Sequence, residues 1–431
     1  MKNGIFFLTY DGYYNFTSGI GTQTKTFLKG IDAYYERYRK LYGDFEINLV
    51  VPDFDPTVYG YNKQDIEYAD RIIKKFGGKV YTCQSSFDRE GSNFWTSENW
   101  EKISISASSL ILQESAKYKK CLIVTVDPPF MHVPMSIAKV NPEIQSVILM
   151  YTSAYIHDEN PLENRIRWEK QGFLSASEYK NIKIGDVCDY MSDHFVKFYD
   201  VYQKSFVPYP SSLFLRDADF DRQSQDKILQ ILKKYDIPLD RDIVFAFGRM
   251  AWVKGFDTLL NGFGLIKNKA HLVFVATQFE DRIEEYKEII RKNKLDCTLI
   301  TTFTRDLPSA LCQYGRCKIV VCPSRREPFS NIPLEVGIWA KEKGPVVLAS
   351  DIGGFVQEII DGENGFLFKV DDSEDLARKI DSILLISEER LKSIRIEAYN
   401  KVQKERDFFK NFGLLLTSLW GGNVEVKRQE L

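Results

Sequence analysis

A chain of 431 residues exceeds one ordinary domain and suits two of about 200 each. Its 44% hydrophobic and 27% charged content is that of a folded globular protein, and 58 basic against 60 acidic residues give no support to nucleic acid as a partner. No apolar run reaches the ~18 residues of a membrane span, and MKNGIFFLTYDG lacks the cleavage site of a signal peptide, so the chain is expected in the cytoplasm.

From the N-terminus, short apolar and β-branched runs alternate with helix-period stretches. GIFFLTY, FEINLVVP, KCLIVTVD and SVILMYT read as strands, and TKTFLKGIDAYYERYRKLYG reads as a helix. The rhythm weakens between Val207 and Asp240, where PYPSSLFLRDADFDRQSQ supplies proline, serine and charge. It restarts with DIVFAFG, HLVFVAT, CTLITTF, KIVVCPS and PVVLAS. This βαβα order predicts two Rossmann-like, doubly wound α/β domains facing across a cleft, over 1–206 and 241–404, with 207–240 as linker. ERDFFKNFGLLLTSLW, residues 405–420, reads as a last helix that joins the first domain. The seven scattered cysteines have no CxxC spacing and are expected to be reduced; the four histidines form no HExxH or HxxxH pair.

Three stretches carry chemistry. SGIGTQTKTFLKG places small residues between a strand and a helix, where backbone amides and the helix N-terminus favour an anion; a plain βα turn is the alternative. FAFGRMAWVKGFDTLL ends a strand at Gly248-Arg249 and continues through Lys254-Gly255, so two cations project from the carboxyl edge of a parallel sheet. A diphosphate suits them, Arg249 by a planar fork and Lys254 as a point charge, while a solvated basic pair is the bland reading. SRREPFSNIPLEVG leaves the strand KIVVCPS through a loop carrying Glu327 and enters a helix carrying Glu335. The amides of Phe329, Ser330 and Asn331 near the helix start can point at phosphate oxygens, and the two carboxylates can hold sugar and ribose hydroxyls. A hydrolytic acid/base pair is the competing idea, but it leaves the anion site without purpose.

Together GRMAWVKG, the E-x7-E of EPFSNIPLE and DIGGFVQEIIDGENGFLF resemble the retaining nucleotide-sugar glycosyltransferases of family 4, closely over about residues 240–370. The resemblance implies the GT-B fold and a retaining transferase that moves a hexose-type sugar from a nucleoside diphosphate sugar to an acceptor hydroxyl. UDP-sugar is the favoured donor. By position, Arg249 and Lys254 would bind the donor diphosphate, Glu327 the sugar hydroxyls, Phe329 to Asn331 the phosphates through main-chain amides, and Glu335 the ribose. Gly19 and Gly21 correspond to the family's glycine loop near the distal phosphate, and His157 stands nearest the family's histidine beside the reacting carbon; a structurally satisfied histidine is the alternative. Asp127, at the end of KCLIVTVD, reads either as a group orienting the acceptor hydroxyl or as a strand-end cap. The chain departs from the family at PYPSS, often Pro-Asn-Gly, and at Ser330, commonly glycine.

The nucleotide sugar is the substrate, so no further cofactor is expected. The pairs Asp53–Asp55 and Asp217/Asp219/Asp221 read as turn and linker residues rather than metal ligands, because cations and a helix N-terminus already serve the diphosphate. A GT-B-like nucleotide-sugar epimerase and a catalytically idle nucleotide-sugar-binding protein are the rival readings. The acceptor stays open. FDREGSNFWTSENW suits stacking on sugars or a packed loop, and Arg37, Arg39 and Lys40 mark a solvated helix face more than a membrane contact.

Overall fold

The computed structural model describes residues 1–15, 18–54, 61–86, 92–277 and 281–421. Asp55 and FDREG, residues 87–91, lie outside the described residues. Apolar runs become strands, and the described strands fall into two parallel sheets, each in its own unit.

The first unit comprises Met1–Phe214 and Arg406–Leu431. Its strands are β1 (Asn3–Leu8), β2 (Phe45–Pro52), β3 (Val80–Cys83), β4 (Cys121–Val126), β5 (Gln145–Leu149), β6 (Ile182–Asp186) and β7 (Phe206–Pro208). They are ordered β3-β2-β1-β4-β5-β6-β7, with Phe6 in register between Asn48 and Ile123. All six residues of β4 and five of six in β1 are buried, which is why these central strands read as unbroken apolar runs. The sequence reading passed over β3, β6 and β7. VYTC is half exposed, and IKIGD and FVP are short.

Helix Gly19–Tyr42 buries its aromatic face. Tyr38 is fully buried and donates its hydroxyl to the Phe409 carbonyl at 2.9 Å, and the Arg37 guanidinium lies 3.7 Å from the centre of the Phe409 ring. The partner helix is Phe408–Trp420, the last in the chain, which belongs to the first unit. Tyr34, Tyr38 and Tyr42 of IDAYYERYRKLYG therefore serve this packing, Tyr35 packs on Phe45 and Phe76, and the outer face carries the exposed Arg39, paired with Glu36 at 2.7 Å.

The second unit, Leu215–Glu405, holds β8 (Ile243–Arg249), β9 (His271–Thr277), β10 (Cys297–Ile300), β11 (Cys317–Cys322), β12 (Val346–Ser350) and β13 (Phe366–Phe368), ordered β10-β9-β8-β11-β12-β13. Alternate strand residues build two apolar layers. Phe245, Val273, Val320 and Val347 pack with Ile228, Leu232 and Leu311 on one face. Val244, Phe274, Ile319 and Leu348 pack with Leu259, Leu376 and Ile380 on the other. Segment 207–240 is divided between the units. Gly185 pairs with Val207 in the first sheet, while helix Gln225–Lys234 buries Ile228, Ile231 and Leu232 in the second unit.

Both sheets reverse their strand order beside the first strand, between β1 and β4 and between β8 and β11. In doubly wound sheets, ligands bind beside the carboxyl ends of the strands at such a reversal. All seven cysteines are free thiols, and burial pushes Cys121 up to about 11. No described helix is long and apolar enough to cross a membrane.

The helix pair in the first unit gives a signed test. A Cβ at Gly30 would stand 2.0 Å from Cδ1 of Phe408. Helix propensity alone favours Gly30→Ala by up to ~1 kcal/mol, whereas overpacking costs about 1–3 kcal/mol. The expected outcome is a lower denaturation midpoint by circular dichroism; a raised midpoint contradicts the packing of helix 408–420.

Candidate functional site

At the switch point of the second sheet, the loop after β8 makes one tight turn, Trp252–Lys254, and bends at Gly255, whose φ is 60°. A Cβ there would meet the Pro323 carbonyl oxygen at 2.1 Å, so only glycine lets this turn lie against the loop after β11. That approach brings Lys254 Nζ to 2.7 Å from Glu327 Oε2, across 73 residues of sequence. Ser324 Oγ donates to the same oxygen at 2.9 Å, and Glu327 is only 4% exposed. The loop after β12 joins them, with the Gly354 amide donating to the Glu327 carbonyl at 2.9 Å.

The sequence reading gave Lys254 and Glu327 separate partners, a phosphate and a sugar. The structure joins them as one ion pair, because a buried carboxylate without a cation is costly. Ser324, three residues before Glu327, was missed; a hydroxyl beside a buried acid has no distinct sequence signal. Arg249 is exposed at the end of β8. Phe329 is half-buried and Ser330 buried. Asn331 opens helix Asn331–Trp339, whose N-cap is Ser330 in extended backbone without a side-chain capping bond. Glu335 is half-buried one turn along that helix. All these residues belong to the second unit.

The remaining expected residues lie in the first unit. Gly19 is exposed at the first helical position, and a Cβ there would meet nothing within 4 Å. Gly21 is buried, and its amide donates to the Ser18 hydroxyl at 2.9 Å, so the helix cap uses that amide rather than presenting it to a ligand. Ser18 in turn donates to the buried carboxylate of Asp11, whose other oxygen accepts from the Gly12 amide at 2.8 Å. A carboxylate of the protein already stands at this helix N-terminus.

Asp127 is wholly buried with φ of 60°. Its Oδ1 accepts from the Tyr151 amide at 2.7 Å and the Thr152 amide at 3.2 Å, tying β4 to the loop after β5. This is the strand-end clamp; the acceptor-orienting role would need an accessible carboxylate. Burial pushes its pKa up to about 7, against the pull of the amide bonds and of Arg165. The same loop is held again by Glu169, wholly buried, which accepts from the Ala154 amide at 3.0 Å, from Arg165 Nε at 2.9 Å and from the Tyr199 hydroxyl.

His157 ends the short turn Ala154–His157 and is half-buried; its Nδ1 accepts from the Ser153 amide at 3.2 Å. The other histidines are satisfied within the fold. His132 stacks on Trp168 and bonds its carbonyl at 2.9 Å, and His194 bonds Ser153 Oγ at 2.9 Å; burial depresses both to about 4. His271 spends its two nitrogens on Asp296 and Thr298. Asp217 accepts from the Asp219 amide at 3.1 Å, a turn contact.

Residues 227–401, all within the second unit, match the family described as Glycosyl transferases group 1. A capsular polysaccharide biosynthesis glycosyltransferase of Staphylococcus aureus, CapM, is 26% identical over 165 residues, covering 37% of this chain and 41% of that protein. The chain matches about two fifths of the length of its curated relatives. The solved Anabaena protein HepE, in complex with UDP and glucose, aligns with a TM-score of 0.69 at 14% identity, over 96% of this chain and 99% of that one. Sucrose-phosphate synthase from Thermosynechococcus elongatus aligns at 0.71 and 16%, over 100% and 99%. The fold is that of the GT-B glycosyltransferases.

Asp127 supplies a pH test. A carboxyl whose folded pKa is raised from about 4 to about 7 contributes stability that is full below pH 4 and lost as pH rises to 7. Asp127→Asn keeps an acceptor for the two amides and removes the titration. The melting temperature of Asp127→Asn relative to the unmodified protein should therefore rise from pH 4.5 to pH 7.5; a flat difference contradicts the buried carboxyl.

Proposed function

With a Glycosyl transferases group 1 domain over residues 227–401 as the premise, we propose that this protein moves a hexose-type sugar from a nucleoside diphosphate donor to an acceptor hydroxyl with the anomeric configuration retained. The observation that carries the reading is the contact of Lys254 with buried Glu327 at the carboxyl edge of β8 and β11. A donor joins a diphosphate to a polyol, and this pair offers a cation to the first and a carboxylate to the second. UDP in the HepE structure supports a uridine donor.

Bond by bond, the chemistry is leaving-group stabilisation. As the glycosidic C–O bond lengthens, negative charge grows on the distal phosphate, where Arg249 and Lys254 act as preorganised cations and the Phe329–Asn331 amides as donors. The acceptor hydroxyl attacks the anomeric carbon from the same face, and its proton passes to the departing phosphate. Glu327 keeps the donor sugar hydroxyls through Oε1, the oxygen that Lys254 and Ser324 leave, and Glu335 holds the ribose diol. Without donor, Glu327 neutralises Lys254; with donor, the phosphate shares that ammonium. The positive charge of these side chains serves the diphosphate without a metal.

Arg249→Ala should lower transfer about 10²-fold with an unchanged fold. Lys254→Ala removes the partner of a buried carboxylate and should also destabilise the protein, by up to about 3 kcal/mol. Adding Glu327→Gln to it should restore stability without restoring transfer. Activity should persist in excess EDTA. A normal turnover number in folded Arg249→Ala, or loss in EDTA reversed by manganese or magnesium, would sink this chemistry.

The two glutamates separate by ligand. Glu335→Gln should weaken binding of UDP itself in calorimetric titration. Glu327→Gln should leave UDP affinity unchanged or raise it, since Lys254 is released, while turnover with the intact donor falls. The reverse pattern contradicts the division between sugar and ribose. Product analysis distinguishes transfer from epimerisation or binding alone.

A further inference from the structure

Glu327 is preceded by two arginines that the sequence reading gave no role. Arg325 is 14% exposed, yet its side chain is bonded on every edge. Nη1 and Nη2 donate to the two oxygens of Asp257 at 2.8 and 2.6 Å, a two-point fork. Nη1 also donates to the Trp252 carbonyl at 3.0 Å, and Nε lies 2.9 Å from Asp371 Oδ1. The Arg325 amide donates to the Val253 carbonyl at 2.8 Å. The guanidinium carbons of Arg325 and Arg326 stand 5.5 and 5.0 Å from the centre of the Trp252 ring. Asp371 itself has φ of 58° and accepts from Thr258 Oγ1 at 3.1 Å.

These contacts fall on both sides of Lys254 in sequence: residues 252 and 253 before it, 257 after it. Arg325 sits two residues before Glu327. We propose that Arg325 is a positioning residue, a planar clamp that holds the turn of Lys254, the loop of Glu327 and the Asp371 loop after β13 in one fixed arrangement. The clamp rests on the donor-site reading of Lys254 and Glu327 for its functional consequence, but not for its mechanical one.

The physical argument is one of degrees of freedom. A lysine ammonium on a four-carbon stem can sample several rotamers, and a loop carboxylate moves with its loop. Their 2.7 Å contact lasts only if both loops are held, and Arg325, itself in the Glu327 loop, grips the Lys254 turn through its amide on the Val253 carbonyl and its planar guanidinium on the Trp252 carbonyl and the Asp257 carboxylate. Asp257 is pulled below the usual carboxylate range: burial, the largest single influence, works against this, and the bonds and charge of Arg325, with the Asp257 amide and Arg282, together outweigh it. Arg325 makes its bonds to protein atoms, so its effect on a ligand passes through Lys254 and Glu327.

Arg325→Lys keeps the charge but cannot bond both Asp257 oxygens, the Trp252 carbonyl and Asp371 together. Asp257→Asn removes the charged acceptor from the other side of the fork. Hydrogen exchange of the full-length protein reads the mechanical part: amides in 252–257 and 323–330 should exchange at least 10-fold faster in Arg325→Lys, with β8 and β11 unchanged. Unchanged exchange in those two segments overturns the clamp, whether or not the protein binds nucleotide. Titration with UDP reads the functional part. Both variants should bind UDP about 10-fold more weakly, with circular dichroism spectra of the unmodified protein and a turnover number reduced more than KM is raised. Loss of UDP affinity in Arg325→Lys with full affinity in Asp257→Asn makes Arg325 a direct ligand and overturns the proposal. If the unmodified protein binds no UDP, GDP or ADP, the donor-site reading falls and the exchange result alone decides the clamp.

Discussion

A carboxylate taken out of water must find a cation or several donors, and Glu327 meets that demand with Lys254 and Ser324. Much else in the second unit follows. For Lys254 to reach, the loop after β8 must lie on the loop after β11, and for that residue 255 must lack a side chain and take positive φ. The Lys254–Glu327 pair is thus both a site feature and a constraint on three loops. An ion pair of this kind is a poor source of net stability.

The same demand is met differently in the first unit. Asp127 and Glu169 are both fully buried, and their partners are backbone amides of one loop: Tyr151 and Thr152 for the first, Ala154 for the second. Ser153, between them, bonds His194 and Tyr199. Four successive residues are each anchored by a side chain from another element. Here the buried charge shapes backbone rather than standing ready for a ligand, which is why Asp127 is silent as a candidate acceptor group despite its strand-end place.

Helix N-termini show the same economy. Ser18 and Asp11 occupy the end of helix Gly19–Tyr42, so its dipole is met by the protein's own carboxylate. Helix Asn331–Trp339 begins without a side-chain cap from Ser330, between buried Glu327 and half-buried Glu335.

The sequence by itself determined the class of fold and the neighbourhood of the site. Strands such as β4, β8 and β11, buried on both faces over most of their length, are mostly apolar, and that is legible without coordinates. Because the loops that follow parallel strands emerge at one edge, GRMAWVKG and SRREPFSN had to share it. The short strands β3, β6, β7 and β13 escaped, since three to five residues carry too little pattern. Tertiary structure alone decided strand order, the partner of the last helix and which side chains meet. Lys254 and Glu327 are 73 residues apart, and Arg325 and Asp257 are 68 apart. Burial separated Asp127 from the reactive groups, and a hydroxyl claimed the amide of Gly21. Burial and pairing are properties of a place in three dimensions, and residues distant along the chain set that place.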